Sequence, residues 1–288
     1  MLSFSRTKTH HLHVPDMLPR GDEQWLETGY FNPVEKLDII TEKRSYEIET
    51  VTTNAEKTNP LLIISKGIPR TKKQRKELFL INKFSGLLAV KMMPLFRSII
   101  YNQPCTGGSA GFWCLDTINT RKNILIELIK HYHQGRSDNV LVGTSLGAYI
   151  IAAALPDLKK IDLLPKKIIL ISPPAFPEEI EEVPYGKEFT AILKKFSKFD
   201  QSPIFERIEW FLKNKDSKII ITFSEYDHPT IPFMVQNQFF EKFFDHKQAS
   251  MIVFRGVGHS FKEPHNFLEK NEKTIITAVN FFSEFIAK

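Results

Sequence analysis

The sequence predicts an α/β protein with a doubly wound, mostly parallel central sheet, helices on both faces of the sheet and a small helical cap. Short, uniformly apolar runs at residues 61–65, 167–172 and 218–223 are typical of strands that are buried on both faces. Between such runs lie longer stretches with apolar residues at helical spacing, for example residues 119–133. Strands that alternate with helices in this way favour a parallel sheet.

The first part of the chain is predicted to change from an irregular arm to a buried sheet. The first 35 residues lack periodicity and contain three prolines, so we expect an arm laid on the domain formed by residues 36–288. Alternating polar and apolar residues at 46–51 predict a half-exposed hairpin with residues 37–40. The first buried strand follows, and then a helix over about residues 72–88.

The middle of the chain is predicted to continue this alternation. Residues 98–101 read as a strand, and the glycine-rich residues 102–111 that follow favour a flexible wall of a site. A phosphate cradle is the alternative for these glycines, but no Gly-Lys-Ser/Thr signature accompanies them. After the strand near 139–143, an almost wholly apolar helix over 148–155 is expected to end at Pro156.

The last part of the chain supplies the predicted cap and the end of the sheet. Residues 177–202 form the small cap, whose phenylalanines either pack against the domain or shape a pocket for an acyl chain. A second amphipathic helix over 204–212 follows, and a helix over about 231–244 precedes the last strand at 250–254. Apolar residues at helical spacing near the end of the chain predict a final helix; they are Ile275, Val279, Phe282 and Ile286.

A Gly-x-Ser-x-Gly pentapeptide lies where the strand near residue 140 meets its helix. Ser145 would stand on a sharp turn, and Gly143 and Gly147 would let the strand and the helix approach closely around it. The N–H group of Leu146, at the start of the helix, would point to where a developing oxyanion sits. By itself, the pentapeptide is also compatible with an ordinary turn between glycines.

This strand, turn and helix resemble the nucleophile elbow of the α/β-hydrolase superfamily, in which an acid and then a histidine follow the serine along the chain. The resemblance covers about residues 36–288 and implies that Ser145 is the nucleophile. Asp227, just after a buried strand, matches the acid, with Glu225 as its nearest competitor. His259, in a Gly-x-Gly-His sequence after the last strand, matches the histidine. All three come in the order that the family requires.

The resemblance also implies where the oxyanion would be held. The family usually has His-Gly after the first buried strand, and here Gly67 matches while Lys66 replaces the histidine. The two donors implied are the backbone N–H groups of Ile68 and Leu146. Lys66 itself is expected to be a surface lysine at a strand end, with a role in catalysis as the alternative.

These residues predict a serine hydrolase that cleaves a carboxylic ester or thioester of a small molecule through an acyl-enzyme intermediate. No metal and no organic cofactor is expected. Acyltransferase or peptidase activity shares the same first half-reaction and stays open. The alternative from another class is a non-catalytic binding module with the same fold.

Composition restricts the partners and the compartment. The net charge of +6 comes from dispersed lysines and clusters such as residues 70–76, without a nucleic-acid motif. No nucleic-acid partner is expected. Contact with a membrane surface stays open, although no motif indicates it. The histidines at 10–13 lack further ligands at metal-binding spacing. The sequence has no apolar secretion signal near its start, and only two cysteines, Cys105 and Cys114, so a cytoplasmic protein is expected. Export without such a signal stays open as the alternative. Oligomeric state stays open.

Overall fold

The fold is given by a computed structural model, which describes residues 19, 22–41, 44–67, 72–76, 80–112, 115–133, 135, 138–227, 231–261 and 271–288. Several features singled out in the sequence lie outside the described residues. They are Ile68, Cys114, the histidines at 10–13 and most of the predicted arm.

Within the described residues, eight strands form one sheet with the order β1-β2-β4-β3-β5-β6-β7-β8. In chain order they are β1 (Glu35–Ile40), β2 (Ser45–Thr52), β3 (Leu61–Ser65), β4 (Arg97–Tyr101), β5 (Val140–Thr144), β6 (Lys167–Ile171), β7 (Lys218–Tyr226) and β8 (Ala249–Gly258). Strand β2 runs antiparallel to β1 and to β4, and every other neighbouring pair is parallel. The predicted mostly parallel sheet is confirmed.

The uniformly apolar strands are buried because the sheet has a hydrophobic core on each face. Along β3, Leu61 and Ile63 point into one core, whereas Leu62 and Ile64 point into the other. All four side chains are almost completely inaccessible to solvent. A strand with two buried faces needs apolar residues at successive positions, which is the pattern that the sequence shows.

Helices cover both faces of the sheet. They are α1 (Asp22–Glu27), α2 (Lys72–Lys76), α3 (Lys83–Met92), α4 (Ile118–Tyr132), α5 (Leu146–Lys160), α6 (Lys187–Lys195), α7 (Pro203–Leu212), α8 (Phe233–Phe243) and α9 (Glu272–Ala287). Helices α1, α3 and α9 contribute to one core, and α4, α5, α7 and α8 contribute to the other. The side chains of Asn82, Thr117 and Asn271 accept backbone N–H groups and so begin α3, α4 and α9. Among the described helices, none is long and apolar enough to cross a membrane.

Two predicted helices have different limits in the structure. The single helix expected over 72–88 is wrong, because α2 ends at Lys76 and Asn82 begins a new helix through a reciprocal capping box with Ser85. The expected end of the elbow helix at Pro156 is also wrong, because α5 continues to Lys160. A proline removes a single N–H donor, and the last turn is held by Leu158, which is fully buried.

The predicted arm contains a helix that is part of the core. Trp25 of α1 is fully buried against α3, where it lies over Gly86. A Cβ atom at residue 86 would lie 2.5 Å from Cε2 of this tryptophan, so only glycine leaves room for the ring. Residues 22–27 are therefore helical and packed, whereas the sequence predicted an irregular segment there.

The interval predicted as a cap is attached to the elbow helix. It contains a short 3₁₀ helix at Glu178–Glu182, then α6. The hydroxyl of Tyr149 in α5 donates to Oε1 of Glu181 at 2.7 Å, and Arg207 of α7 donates to both oxygens of the same carboxylate at 2.5 and 3.0 Å. This buried group joins the interval to α5, the helix that follows Ser145. The function of the interval as a cap stays a prediction.

Candidate active site

Ser145 lies at the sharp turn between β5 and α5, in a backbone conformation that side chains rarely adopt. Its φ is 53° and its ψ is −124°. A Cβ atom at Gly147 would lie 2.2 Å from the carbonyl oxygen of Ser65, and one at Gly143 would lie 2.5 Å from Cα of Ala148. Both glycines are therefore required by close backbone packing. The strained torsions at the serine cost on the order of 1–3 kcal/mol, which the surrounding packing must hold in place.

The turn leaves the functional groups of the elbow available for chemistry. The N–H of Ser145 donates to the carbonyl oxygen of Ile171 in β6 at 2.7 Å, which fixes the backbone. The serine side chain makes no capping hydrogen bond to α5 and is half-buried. Leu146 is the first residue of α5, so helix geometry provides no acceptor for its N–H. This amide and the positive end of the helix dipole can stabilise a negative charge beside the serine.

Gly67 lies against the elbow from the neighbouring strand β3. A Cβ atom at residue 67 would lie 2.8 Å from Cβ of Ser145 and 3.5 Å from its Oγ. The N–H of Gly67 donates to Oγ1 of Thr144 at 2.9 Å, so this amide is occupied. The donor implied at Ile68 lies outside the described residues. Thr144, which sequence reasoning did not single out, thus fixes the end of β3 beside the serine.

Asp227 and His259 are joined by a hydrogen bond of 2.7 Å between Oδ1 of the carboxylate and Nδ1 of the ring. Asp227 is fully buried, and its other oxygen accepts the hydroxyl of Ser172 at 2.8 Å and the N–H of Ser224 at 2.6 Å. A carboxylate only accepts, so Nδ1 carries the proton in this contact. In the neutral ring, Nε2 is then the acceptor that a general base needs.

Glu225, the competing acid, does not contact the histidine in this way. It is exposed, and its Oε2 accepts the N–H of Gly256 at 2.8 Å. Gly256 has a φ of 72°, and this bond lies where the pairing of β7 with β8 shifts register. Of the two carboxylates, the structure brings Asp227 to His259. The catalytic roles of both residues stay predictions.

Ser172 connects the elbow to Asp227, and the sequence analysis did not single it out. Its φ is 50°, its N–H donates to the carbonyl oxygen of Thr222 at 2.7 Å, and its hydroxyl donates to Asp227. The residue before it, Ile171, accepts the N–H of Ser145. A polar residue at the end of a buried strand was the available signal, because such ends converge in a parallel sheet.

The candidate residues all lie at the carboxyl edge of the sheet. Each follows or ends a parallel strand: Gly67 after β3, Ser145 after β5, Ser172 after β6, Asp227 after β7 and His259 after β8. Ligand sites in open α/β sheets form at this edge. Within the described part of the chain, no group of three or more His, Cys, Asp or Glu side chains is arranged to hold a metal ion.

Lys66 is buried, contrary to the prediction of a surface lysine. It is 3% exposed, and its Nζ donates to the carbonyl oxygen of Leu80 at 2.7 Å and to Oδ1 of Asn102 at 2.8 Å. An ammonium can be buried only where acceptors replace its water. Both acceptors come from distant parts of the chain, so the sequence around Lys66 could not reveal them.

Solved structures match this chain over most of its length. A protein from Agrobacterium vitis assigned as a hydrolase matches with a TM-score of 0.60, at 17% identity over 88% of this chain and 100% of the other. The thioesterase domain from the curacin biosynthetic pathway matches at 0.54, with 13% identity over 89% and 100%. A thermophilic esterase from Thermogutta terrifontis also matches at 0.54, with 15% identity over 89% and 100%. The chain has the α/β-hydrolase fold.

The α/β-hydrolase fold gives Ser145 the structural context that its pentapeptide needs, namely a strand, a strained turn and a helix. No family model and no curated protein matches the sequence itself. At the identities above, structural likeness establishes the fold, and the activity has to be argued from the chemistry of the site.

Proposed function

We propose that this protein is a serine hydrolase that cleaves a carboxylic ester or thioester of a small molecule. The observation that carries the proposal is the 2.7 Å hydrogen bond between Asp227 and His259, at the same edge of the sheet as the strained Ser145. Two of the matched structures are described as an esterase and a thioesterase, which supports an acyl carbonyl as the group attacked.

In the proposed first step, Oγ of Ser145 attacks the acyl carbonyl carbon while Nε2 of His259 takes the hydroxyl proton. The buried carboxylate of Asp227 accepts the Nδ1–H bond, keeps the ring in this tautomer and stabilises the imidazolium. The tetrahedral intermediate then expels the alcohol or thiol, which receives the proton from His259. Water, activated by the same histidine, releases the acid from Ser145 in the second half of the reaction.

The negative charge of the tetrahedral intermediate requires donors in front of Ser145. The N–H of Leu146 is one proposed donor, a role supported by its position at the start of α5. Together with the amide proposed for Ile68, it would hold the oxyanion. No metal ion or organic cofactor takes part in the proposed reaction. The cytoplasmic location inferred from the sequence remains a prediction.

A fluorophosphonate probe tests the proposal without knowledge of the substrate. The probe should label wild-type protein once, at Ser145, because only an activated serine facing an oxyanion site reacts quickly. Ser145→Ala should abolish labelling and His259→Ala should slow it greatly. Ser197→Ala, at an exposed serine after α6, is the matched control and should label like wild type. A folded wild-type protein that stays unlabelled would refute the proposal in favour of a non-catalytic binding module.

A further inference from the structure

The ammonium of Lys66 is a buried charge that the proposed reaction does not use. Its Nζ donates to the carbonyl oxygen of Leu80, just before α3, and to Oδ1 of Asn102, just after β4. Hydrogen bonds from an ionised donor are roughly twice as strong as neutral ones, and an ammonium has three protons to donate. One side chain therefore joins the end of β3 to two other segments.

Asn102, which accepts a hydrogen bond from Lys66, is itself bound to the carboxylate of Glu49. Nδ2 of Asn102 donates to Oε2 of Glu49 in β2 at 2.6 Å. The same oxygen accepts the N–H of Gly108 at 3.0 Å. The amide of Asn102 thus accepts from the cation on one side and donates to the anion on the other, so each bond polarises the next. The network spans β2, β3 and the loop after β4.

The backbone of Lys66 also packs closely against the turn and helix that follow β5. A Cβ atom at Gly147 would lie 2.9 Å from the carbonyl oxygen of Lys66 and 2.2 Å from that of Ser65. On the other side, Gly67 abuts Ser145. Any shift of residues 65–67 must therefore be transmitted to the turn that carries the serine hydroxyl.

We propose that Lys66 is a positioning residue for Ser145. Its ammonium, bound to Leu80 and Asn102, holds the end of β3 at the distance from the elbow that the reaction requires. This inference rests on the proposed serine hydrolase function and deepens it.

The test compares wild type with Lys66→Met, which keeps most of the length of the side chain and removes its charge and its donors. Active sites are first titrated with the fluorophosphonate, and kcat and KM for p-nitrophenyl acetate are then measured per titrated site. We expect kcat per site to fall roughly 100-fold, the effect of a small misplacement of reacting groups, with little change in KM. A purely structural lysine would instead lower the number of titrated sites and leave kcat per site unchanged.

Lys167→Met is the matched control. Nζ of Lys167 also donates to a backbone carbonyl, that of Ile286 at 2.7 Å, but it lies at the beginning of β6, the opposite edge of the sheet from Ser145. Its replacement should lower stability and leave kcat per titrated site at the wild-type value.

A second variant keeps the inference falsifiable if Lys66→Met does not fold. Asn102→Ala removes the acceptor without touching the lysine and should also lower kcat per site. The double variant should be no slower than the slower single variant, because both act through one contact. Unchanged kcat per site in folded Lys66→Met or Asn102→Ala, or an equal fall in Lys167→Met, overturns the positioning role and leaves the hydrolase intact. A wild-type protein without a titratable serine overturns both proposals.

Discussion

Gly67 and Ser145 approach each other so closely that a Cβ atom at residue 67 would lie 2.8 Å from Cβ of the serine and 3.1 Å from the carbonyl oxygen of Thr144. Neither of these atoms is the far end of a flexible side chain. The end of β3 and the elbow are therefore fitted to each other, and the position of the hydroxyl depends on the absence of a side chain at residue 67.

Gly67→Ala should therefore lower kcat for p-nitrophenyl acetate by roughly 100-fold while the protein still folds, because the added methyl group displaces Ser145. Activity per titrated site and the thermal unfolding midpoint are the measurements. Gly186→Ala is the matched control, because nothing lies within 4 Å of a Cβ atom there and its backbone is extended. Equal effects of the two substitutions would show that the contact with Ser145 is unimportant.

Replacing the acid distinguishes the two neighbouring carboxylates. Asp227→Asn should lower kcat by roughly 10³- to 10⁴-fold, because an amide can present its N–H to Nδ1 and favour the wrong tautomer of His259. Steady-state kinetics and near-UV circular dichroism measure the loss and the retention of the fold.

The control for this substitution is Glu225→Gln, which should change kcat little because Glu225 bonds the backbone of Gly256. If Glu225→Gln has the larger effect, the acid is Glu225 and the proposed role of Asp227 is wrong.

Asp116 should make stability depend on pH. It is fully buried against Arg121, and burial raises the pKa of its carboxyl from 3.8 to about 6, although the guanidinium opposes this shift. Because the folded state then binds the proton more tightly than the unfolded state, stability should fall as pH rises from about 4 to about 6 and level off above that. A pKa difference of one unit corresponds to about 1.4 kcal/mol.

Urea unfolding of wild type and Asp116→Asn at pH values from about 4 to about 6 measures the contribution of Asp116 to the pH dependence of stability. The free energy of unfolding of wild type, minus that of the variant, should decrease with rising pH. A constant difference would show that the pKa of Asp116 is the same in both states. The substitution also changes the free energy of unfolding by an amount that does not depend on pH, in part because Arg121 loses a partner. The test uses only the change of the difference with pH.

The two phenylalanines of the interval after β6 should behave differently. Phe189 is buried with ring centroids 6.2 Å from Phe176 and 4.7 Å from Tyr185, so Phe189→Ala should cost about 3–5 kcal/mol and lower activity equally for all substrates. Phe196 is half-buried beside Phe199, and Phe196→Ala should change the preference among p-nitrophenyl esters of different chain length.

Activity across the ester series and thermal unfolding of both variants check this difference. A uniform loss of activity in Phe196→Ala, together with a large loss of stability, would mean that both side chains serve packing alone.

The sequence predicted the sheet well because the signal for a buried strand is local. Each of β3, β5 and β6 needs only its own run of apolar residues to be recognised, and the elbow needs only five neighbouring positions. The break between α2 and α3 was missed although Asn82 carried a capping signal, because the apolar pattern runs across it.

What the sequence could not predict depends on contacts between distant residues. Lys66 is buried because Leu80 and Asn102 supply acceptors, and no pattern around residue 66 encodes them. Ser172 is similar, since its hydroxyl acquires a role only when the end of β6 lies beside Asp227. By contrast, the pairing of Asp227, rather than Glu225, with the histidine agrees with the prediction from the order of residues along the chain.

The strained backbone of Ser145 has a consequence for how this position would change under selection. Glycine adopts a φ of 53° with a ψ of −124° without the steric cost that a side chain suffers, so Ser145→Gly should relieve the strain. Stability and activity then favour different residues at the same site. Selection for heat resistance alone would then favour glycine at residue 145. If Ser145 is the nucleophile, as proposed, selection for turnover would keep the serine in spite of its cost.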